Sequence, residues 1–246
     1  MREQAQKSIG EQNYETFAER YAAAVETKPH NALYERPATR SLIPDVRGQR
    51  VLDAGCGPGI WTEWLLEHGA SVTAIDVTPA FIAITRRRVG ERAEIRQHDL
   101  MQPLDFAPDA SYDGVLCPLV LDYIEDWEPL FREFHRVLKP GGWLVYSSGH
   151  PFGDWLYLQR HEYPGNNYFA TMQFTLPWHG FGQPEPLVTS YRRPLGAMIN
   201  PLLRAGFRLD TLLEPLPTDA FREADPERYE RLMQQPGFLC VRARRD

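Results

Sequence analysis

Residues 51–61, VLDAGCGPGIW, place Gly55, Gly57 and Gly59 between a short apolar run and a tryptophan. Glycine in an ordered element costs roughly 0.5 to 1 kcal/mol relative to alanine. A cluster of them therefore marks a place where another group must come against the main chain. Asp76 closes the next apolar run, SVTAID, about 20 residues downstream, the spacing at which a carboxylate accepts both hydroxyls of a ribose. A strand, a glycine turn and a helix N-terminus with free N–H groups are the parts of a nucleoside site. The chemistry these residues offer is the binding of an adenosine-containing ligand.

Phosphate-bearing ligands fit the loop poorly. Counted from Gly55, the last glycine of a Gly-x-Gly-x-x-Gly pattern would fall on Ile60, and no lysine follows the loop as a phosphate-cradling turn requires. No tyrosine is followed four residues later by lysine, which excludes the catalytic pair of short-chain reductases. The net charge of −6 argues against a nucleic-acid or anionic-membrane partner, since both demand a positive field. Cys56, Cys117 and Cys240 stand singly in apolar runs and read as buried thiols rather than a disulfide framework or zinc site. The seven histidines show no ligand spacing, so no metal is expected. With no leader-like or membrane-length apolar stretch, the expected location is the cytoplasm.

The elements that must position these residues follow from the alternation of apolar runs with amphipathic stretches. Strands are expected at 50–54, 71–76, 93–99, 112–118 and 143–148, with helices at 60–68, from Thr78 to Val89, and at 127–138. In the third helix Leu130, Phe131, Phe134, Val137 and Leu138 share one face, and KPGG is expected to end it before the fifth strand. The N-terminal stretch NYETFAERYAAAV reads as one amphipathic helix with Tyr14, Phe17 and Tyr21 on one side. Residues 151–191 are rich in Pro, Gly and aromatics without a sustained period, as a lid with some structure of its own would be. A helix at 193–207, a strand at 208–215, a short helix and a final strand at 238–244 complete the chain. The expected fold is α/β, a Rossmann-like doubly wound, mostly parallel seven-stranded sheet with helices on both faces. Residues 1–46 form an N-terminal helical cap, 47–150 the ligand-binding core, 151–192 a lid insertion after strand five, and 193–246 the rest of the core.

VLDAGCGPG, AID ending at Asp76, HDL (98–100), YDGVLCPLVLDYIED (112–126) and VLKPGGWLVYS (137–147), in that order, resemble the class I S-adenosylmethionine-dependent methyltransferases. The flanks YAAAVETKPHNALYERPA (21–38) and VTSYRRPLGAM (188–198) are similar to the bacterial small-molecule branch of that family. The resemblance implies that Gly55, Gly57 and Gly59 bring main chain against the methionine part and ribose of S-adenosylmethionine, with Asp53 nearby to orient its amino group. It implies that Asp76 takes the ribose hydroxyls, that Asp99, Leu100 and Met101 frame the adenine, and that the main chain around Cys117, Pro118 and Leu119 closes over the methionine end. Met101 can equally be a core residue.

Methyl transfer from a sulfonium dissipates positive charge, so water exclusion favours it, and positioning the acceptor can supply ~7 to 11 kcal/mol. A hydroxyl acceptor gains roughly 10²- to 10⁴-fold from a general base, while a neutral amine needs less. His150 follows strand five at the ligand-binding edge and is the candidate base; the alternative is a structural histidine bonded to lid backbone. Asp122 and Tyr123 follow strand four at the same edge and could orient or deprotonate an acceptor, or Asp122 could cap the next helix. The family often carries histidine where this chain has Asp122. Tyr14 and Tyr21 could close over the sulfonium as aromatic faces or simply pack a helix on the sheet. Trp155, Tyr168, Trp178, His179 and Tyr191 make the insertion aromatic, either as an acceptor surface or as its own small core. The expected activity is methylation of an oxygen or nitrogen of a small-molecule acceptor under this aromatic lid. The alternatives are methylation of RNA or protein on the same core, or cofactor binding without transfer.

Overall fold

The structure, a computed structural model, describes residues 7–246. The chain opens with α1 (Ile9–Tyr14), α2 (Ala18–Val25), a π-helical turn at Asn31–Glu35 and α3 (Arg36–Leu42). The single helix expected over residues 13–25 is thus two, broken at residues 15–17, and the stretch 31–42 adds helical turns that the apolar period did not reveal. The core continues with β1 (Arg50–Ala54), α4 (Ile60–Glu67), β2 (Ser71–Asp76), α5 (Pro79–Val89), β3 (Glu94–Gln97), β4 (Tyr112–Pro118), α6 (Trp127–Val137) and β5 (Leu138–Gly149). After these come α7 (Pro151–Arg160), β6 (Met172–Pro177), β7 (Leu187–Arg192), α8 (Leu195–Arg204), β8 (Phe207–Leu213), α9 (Asp219–Ala224), α10 (Pro226–Leu232) and β9 (Phe238–Arg245).

Seven strands form one sheet in the order β3-β2-β1-β4-β5-β9-β8. The first five are parallel and β9 runs antiparallel to both its neighbours. Successive side chains point to opposite faces, so a strand covered on both sides must be apolar throughout. Leu52, Val115, Leu144 and Tyr146 pack on one face with Phe131, Phe134 and Leu202 from α6 and α8. Val51, Leu116, Trp143 and Val145 pack on the other with Ala38, Leu42, Trp61 and Leu65 from α3 and α4. KPGG does not separate α6 from the sheet: β5 already begins at Leu138, which pairs with Tyr112 before the register shifts near Gly114.

The order of connection reverses between β1 and β4, where the loops after the two strands diverge and leave a crevice. The N-terminal helices lie over it. Arg87 of α5 reaches Glu19 (2.6 Å), and Arg88 reaches Glu26 (3.1 Å) and Glu63 (2.8 Å), so part of the basic run 86–88 ties α5 to α2 and α4. Residues 151–192 are more ordered than their composition suggests, with α7 followed by the antiparallel hairpin β6–β7. The Asn13 side chain exchanges two hydrogen bonds with the Thr189 backbone (2.8 and 2.9 Å), docking α1 against β7.

Candidate active site

The crevice is a cavity of about 1020 Å³ of empty space, counting its open mouth. The glycine loop forms its floor. Gly55 has φ +81°, and a Cβ there would come within 2.3 Å of Val120, so this glycine lets the β1 and β4 loops touch. Gly57 has φ +52° and nothing within 4 Å of its would-be Cβ, which would project into open space at the wall. Gly59 does not line the cavity; a Cβ there would come within 2.9 Å of the Thr85 side chain, and its role is to seat α4 against α5.

Asp76 lines one flank of the loop, only 8% exposed. Its two oxygens accept the N–H groups of Gly57 (2.9 Å) and Thr78 (2.8 Å), which fixes the carboxyl at the end of β2. Each oxygen keeps a lone pair for a ribose hydroxyl. Burial raises its pKa against the pull of these bonds. Asp99, Leu100 and Met101 continue the same flank. Asp99 accepts the Met101 N–H at 2.9 Å. Met101 is 53% exposed, so it is not a core residue and stands at the rim.

Leu119 lines the opposite flank with a strained φ of +57°. Its N–H is held by the Ser147 carbonyl (2.9 Å) and hydroxyl (3.2 Å). Cys117, by contrast, is fully buried in the core below and does not reach the wall, because alternation along β4 turns it to the α6 face. Asp53 is also absent from the wall. Its carboxyl lies beneath the loop, where Oδ2 accepts the Thr62 hydroxyl at 2.6 Å and Oδ1 has no partner. Burial pushes its pKa up to about 7. Direct contact between Asp53 and a bound amino group is therefore not what this arrangement provides.

Tyr14, Tyr21 and Tyr123 close the top of the cavity. The Tyr14 and Tyr123 hydroxyls hydrogen-bond at 2.7 Å, joining α1 to the turn after β4. Tyr14 and Tyr21 line the cavity and also pack with Phe17, Phe81 and Phe181, as expected of a helix laid on the sheet. Burial raises the pKa of all three phenols, that of Tyr21 to about 12. They stay protonated near neutral pH and can donate or accept hydrogen bonds, but they are not bases.

The remaining acid–base candidates lie elsewhere. His150 caps α7, and its Nδ1 accepts the N–H groups of Phe152 (3.2 Å) and Gly153 (3.4 Å). The proton therefore sits on Nε2 and is donated to Glu214 at 2.8 Å. With both nitrogens engaged outside the cavity, His150 is the structural histidine rather than a general base. Asp122 accepts the Gly149 N–H at 3.0 Å, ties β4 to β5, and is likewise not in the wall. Burial pushes its pKa up to about 6.

The insertion supplies no wall residue. Trp178 packs beside Tyr14 and Tyr21, Trp155 and Tyr168 pack edge to face, His179 pairs with Glu185 at 2.7 Å, and Tyr191 points to Glu125. Trp178 thus braces the N-terminal helices from outside, while Trp155 and Tyr168 pack on each other within the insertion. The cover itself is the N-terminal segment, whose Asn31, Glu35 and Arg36 also enter the wall. The sequence carries them in NALYERPA, where neither period nor spacing marks them as site residues.

The donor set fits an adenosyl sulfonium. An aspartate stands ready for a diol, Gly57 leaves backbone exposed, aromatic faces lie above, and no phosphate-cradling lysine is present. Comparison with known proteins agrees. Residues 52–146 match the family described as "Methyltransferase domain". An S-adenosylmethionine-dependent methyltransferase structure from Mesorhizobium loti is 29% identical, covering 90% of this chain and 100% of that one with a TM-score of 0.69. A Listeria monocytogenes structure described in the same terms, as putative, shares the fold at 24% identity, covering 86% of this chain and 96% of its own, with a TM-score of 0.73. A ubiquinone biosynthesis O-methyltransferase of Xanthomonas oryzae is 36% identical over 106 residues, 42% of this chain and 44% of its own length. The chain thus spans less than half the length of that relative. Its glycine loop, Asp76 and sheet order, together with these likenesses, identify residues 52–146 as a methyltransferase domain on the fold of the S-adenosylmethionine-dependent methyltransferases.

Proposed function

We propose that the protein methylates an oxygen or nitrogen of a small organic acceptor bound between the glycine loop and the N-terminal helices. The observation that carries this reading is the Tyr14–Tyr123 hydroxyl pair set in a largely apolar cavity wall. S-adenosylmethionine supplies an electrophilic methyl group on a sulfonium. Asp76 holds the diol, Gly55 and Gly57 present main chain, and Leu119 borders the reacting end. Between them, Tyr14 and Tyr123 have one free O–H and spare lone pairs, which orient an acceptor hydroxyl or amine for in-line approach. Because the phenols remain neutral, they contribute alignment and water exclusion; the proton stays on the methylated nitrogen when the acceptor is an amine and passes to solvent when it is a hydroxyl. Methyl transfer to a small molecule is supported by the net charge of −6 and by the O-methyltransferase likeness.

The test is incubation with methyl-labelled cofactor and, separately, a metabolite extract, RNA and protein. Label in the small-molecule fraction is the expected result. Label confined to RNA or protein, or cofactor bound without any transfer, overturns the proposal.

A further inference from the structure

Glu35 and Arg36 are adjacent in sequence and both reach the cavity wall, yet among the described residues their side chains bond hydroxyls and carbonyls rather than opposite charges. Glu35 is 2% exposed. Its Oε1 accepts hydroxyls from Thr39 (2.5 Å) and Ser147 (2.6 Å), leaving Oε2 without a protein donor. Ser147 also holds Leu119, so Glu35 is fixed beside the flank that faces away from Asp76. Arg36 spends two N–H groups on the carbonyls of Val25 and Glu26 (3.0 Å each) and keeps the rest of its fork. Glu35 and Arg36 feel each other's charge, and Arg36 that of Glu26, but neither has an opposite charge at contact distance, so a ligand that supplies both charges there offsets the cost of their burial.

We propose that Glu35 and Arg36 together receive the zwitterionic α-amino acid end of the cofactor, Glu35 taking the ammonium and Arg36 the carboxylate. This rests on S-adenosylmethionine as the cofactor. It also gives the amino group the anchor that Asp53, beneath the loop, does not provide. The π-helical turn at Asn31–Glu35 is what delivers the side chain: a single wide turn at a helix join is a frequent device at functional sites.

The probes are S-adenosylhomocysteine, which carries the amino acid, and 5′-methylthioadenosine, which lacks it. Titration calorimetry compares wild type, Glu35→Gln and Arg36→Gln, with thermal melting to establish that each is folded. Glu35→Gln keeps an oxygen for Thr39 and Ser147, so the fold is retained. The expected result is that each variant binds S-adenosylhomocysteine about 10- to 100-fold more weakly, the loss of a charged hydrogen bond, with 5′-methylthioadenosine changed less than about 3-fold. Equal weakening of both probes, or turnover lost with S-adenosylhomocysteine affinity intact, overturns the proposal. Wild type that binds neither probe instead overturns the cofactor assignment on which it rests.

Discussion

Replacing Gly57 by alanine separates a ligand-contact role from a folding role. The residue sits at φ +52° with open space where a Cβ would go. A non-glycine residue in this left-handed region costs ~1 to 2 kcal/mol, which in a domain of this size lowers the melting temperature by about 2 to 8 °C. The added methyl meets no protein atom within 4 Å, so no packing penalty adds to that strain. It does occupy the surface where the ligand must lie against main chain, and a clash there weakens binding by at least about 10-fold, or ~1.4 kcal/mol. Gly55→Ala provides the contrast: its methyl would collide with Val120 at 2.3 Å and destabilise the fold itself. The assay is calorimetric titration of Gly57→Ala with S-adenosylhomocysteine beside a thermal melt. A folded variant with wild-type affinity would falsify the idea that Gly57 is kept bare for the cofactor.

Tyr123→Phe breaks the hydroxyl pair with Tyr14; steady-state kinetics on an identified acceptor should show turnover reduced about 10- to 100-fold with S-adenosylhomocysteine affinity unchanged, and equal turnover would count against an orienting role. His150→Ala removes the acceptor for two N–H groups at the start of α7; the expected cost is about 1 kcal/mol, read as a lower melting temperature with turnover retained, and a selective loss of turnover would restore the histidine to catalysis. Asp154 is half-buried, and desolvation of its carboxyl with the Asp122 charge nearby pushes its pKa up to about 8. A folded pKa above the ordinary value near 3.9 means the stability it contributes is full below about pH 4 and is lost as pH rises through about 8. Asp154→Asn should therefore raise the melting temperature relative to wild type more at pH 8.5 than at pH 5, and an equal effect at both pH values would contradict the sign.

The parts of the site legible in the sequence are those held by short-range geometry. Gly55 and Gly57 follow β1 and Asp76 closes β2, two strands with plain apolar runs, while Asp99–Met101 follow the polar edge strand β3, whose parallel register on β2 sets their position. Cys117 and Asp53 mark the limit of that reasoning, since a strand residue's neighbour can reach the cavity while the residue itself faces the core. His150 stands at the right edge, but the helix that begins at Pro151 claims its ring, a preference the aromatic, proline-rich composition concealed. The dense aromatics of the insertion point to it as the lid, beside an N-terminal helical cap. The structure gives that place to residues 8–36, which reach the wall through contacts such as Tyr14 to Tyr123, 109 positions apart. No local period encodes a contact over that separation; it emerges only when α1 docks against β7.

Calorimetric titration of wild type and Asp76→Asn with S-adenosylhomocysteine, alongside a nicotinamide dinucleotide, decides whether a ribose diol is gripped at the end of β2. Saturable binding by wild type, weakened about 100-fold in the folded variant by the loss of charged acceptance at two hydroxyls, with no heat from the dinucleotide, is the predicted outcome. Equal affinity in both proteins, or saturation by the dinucleotide alone, would contradict it.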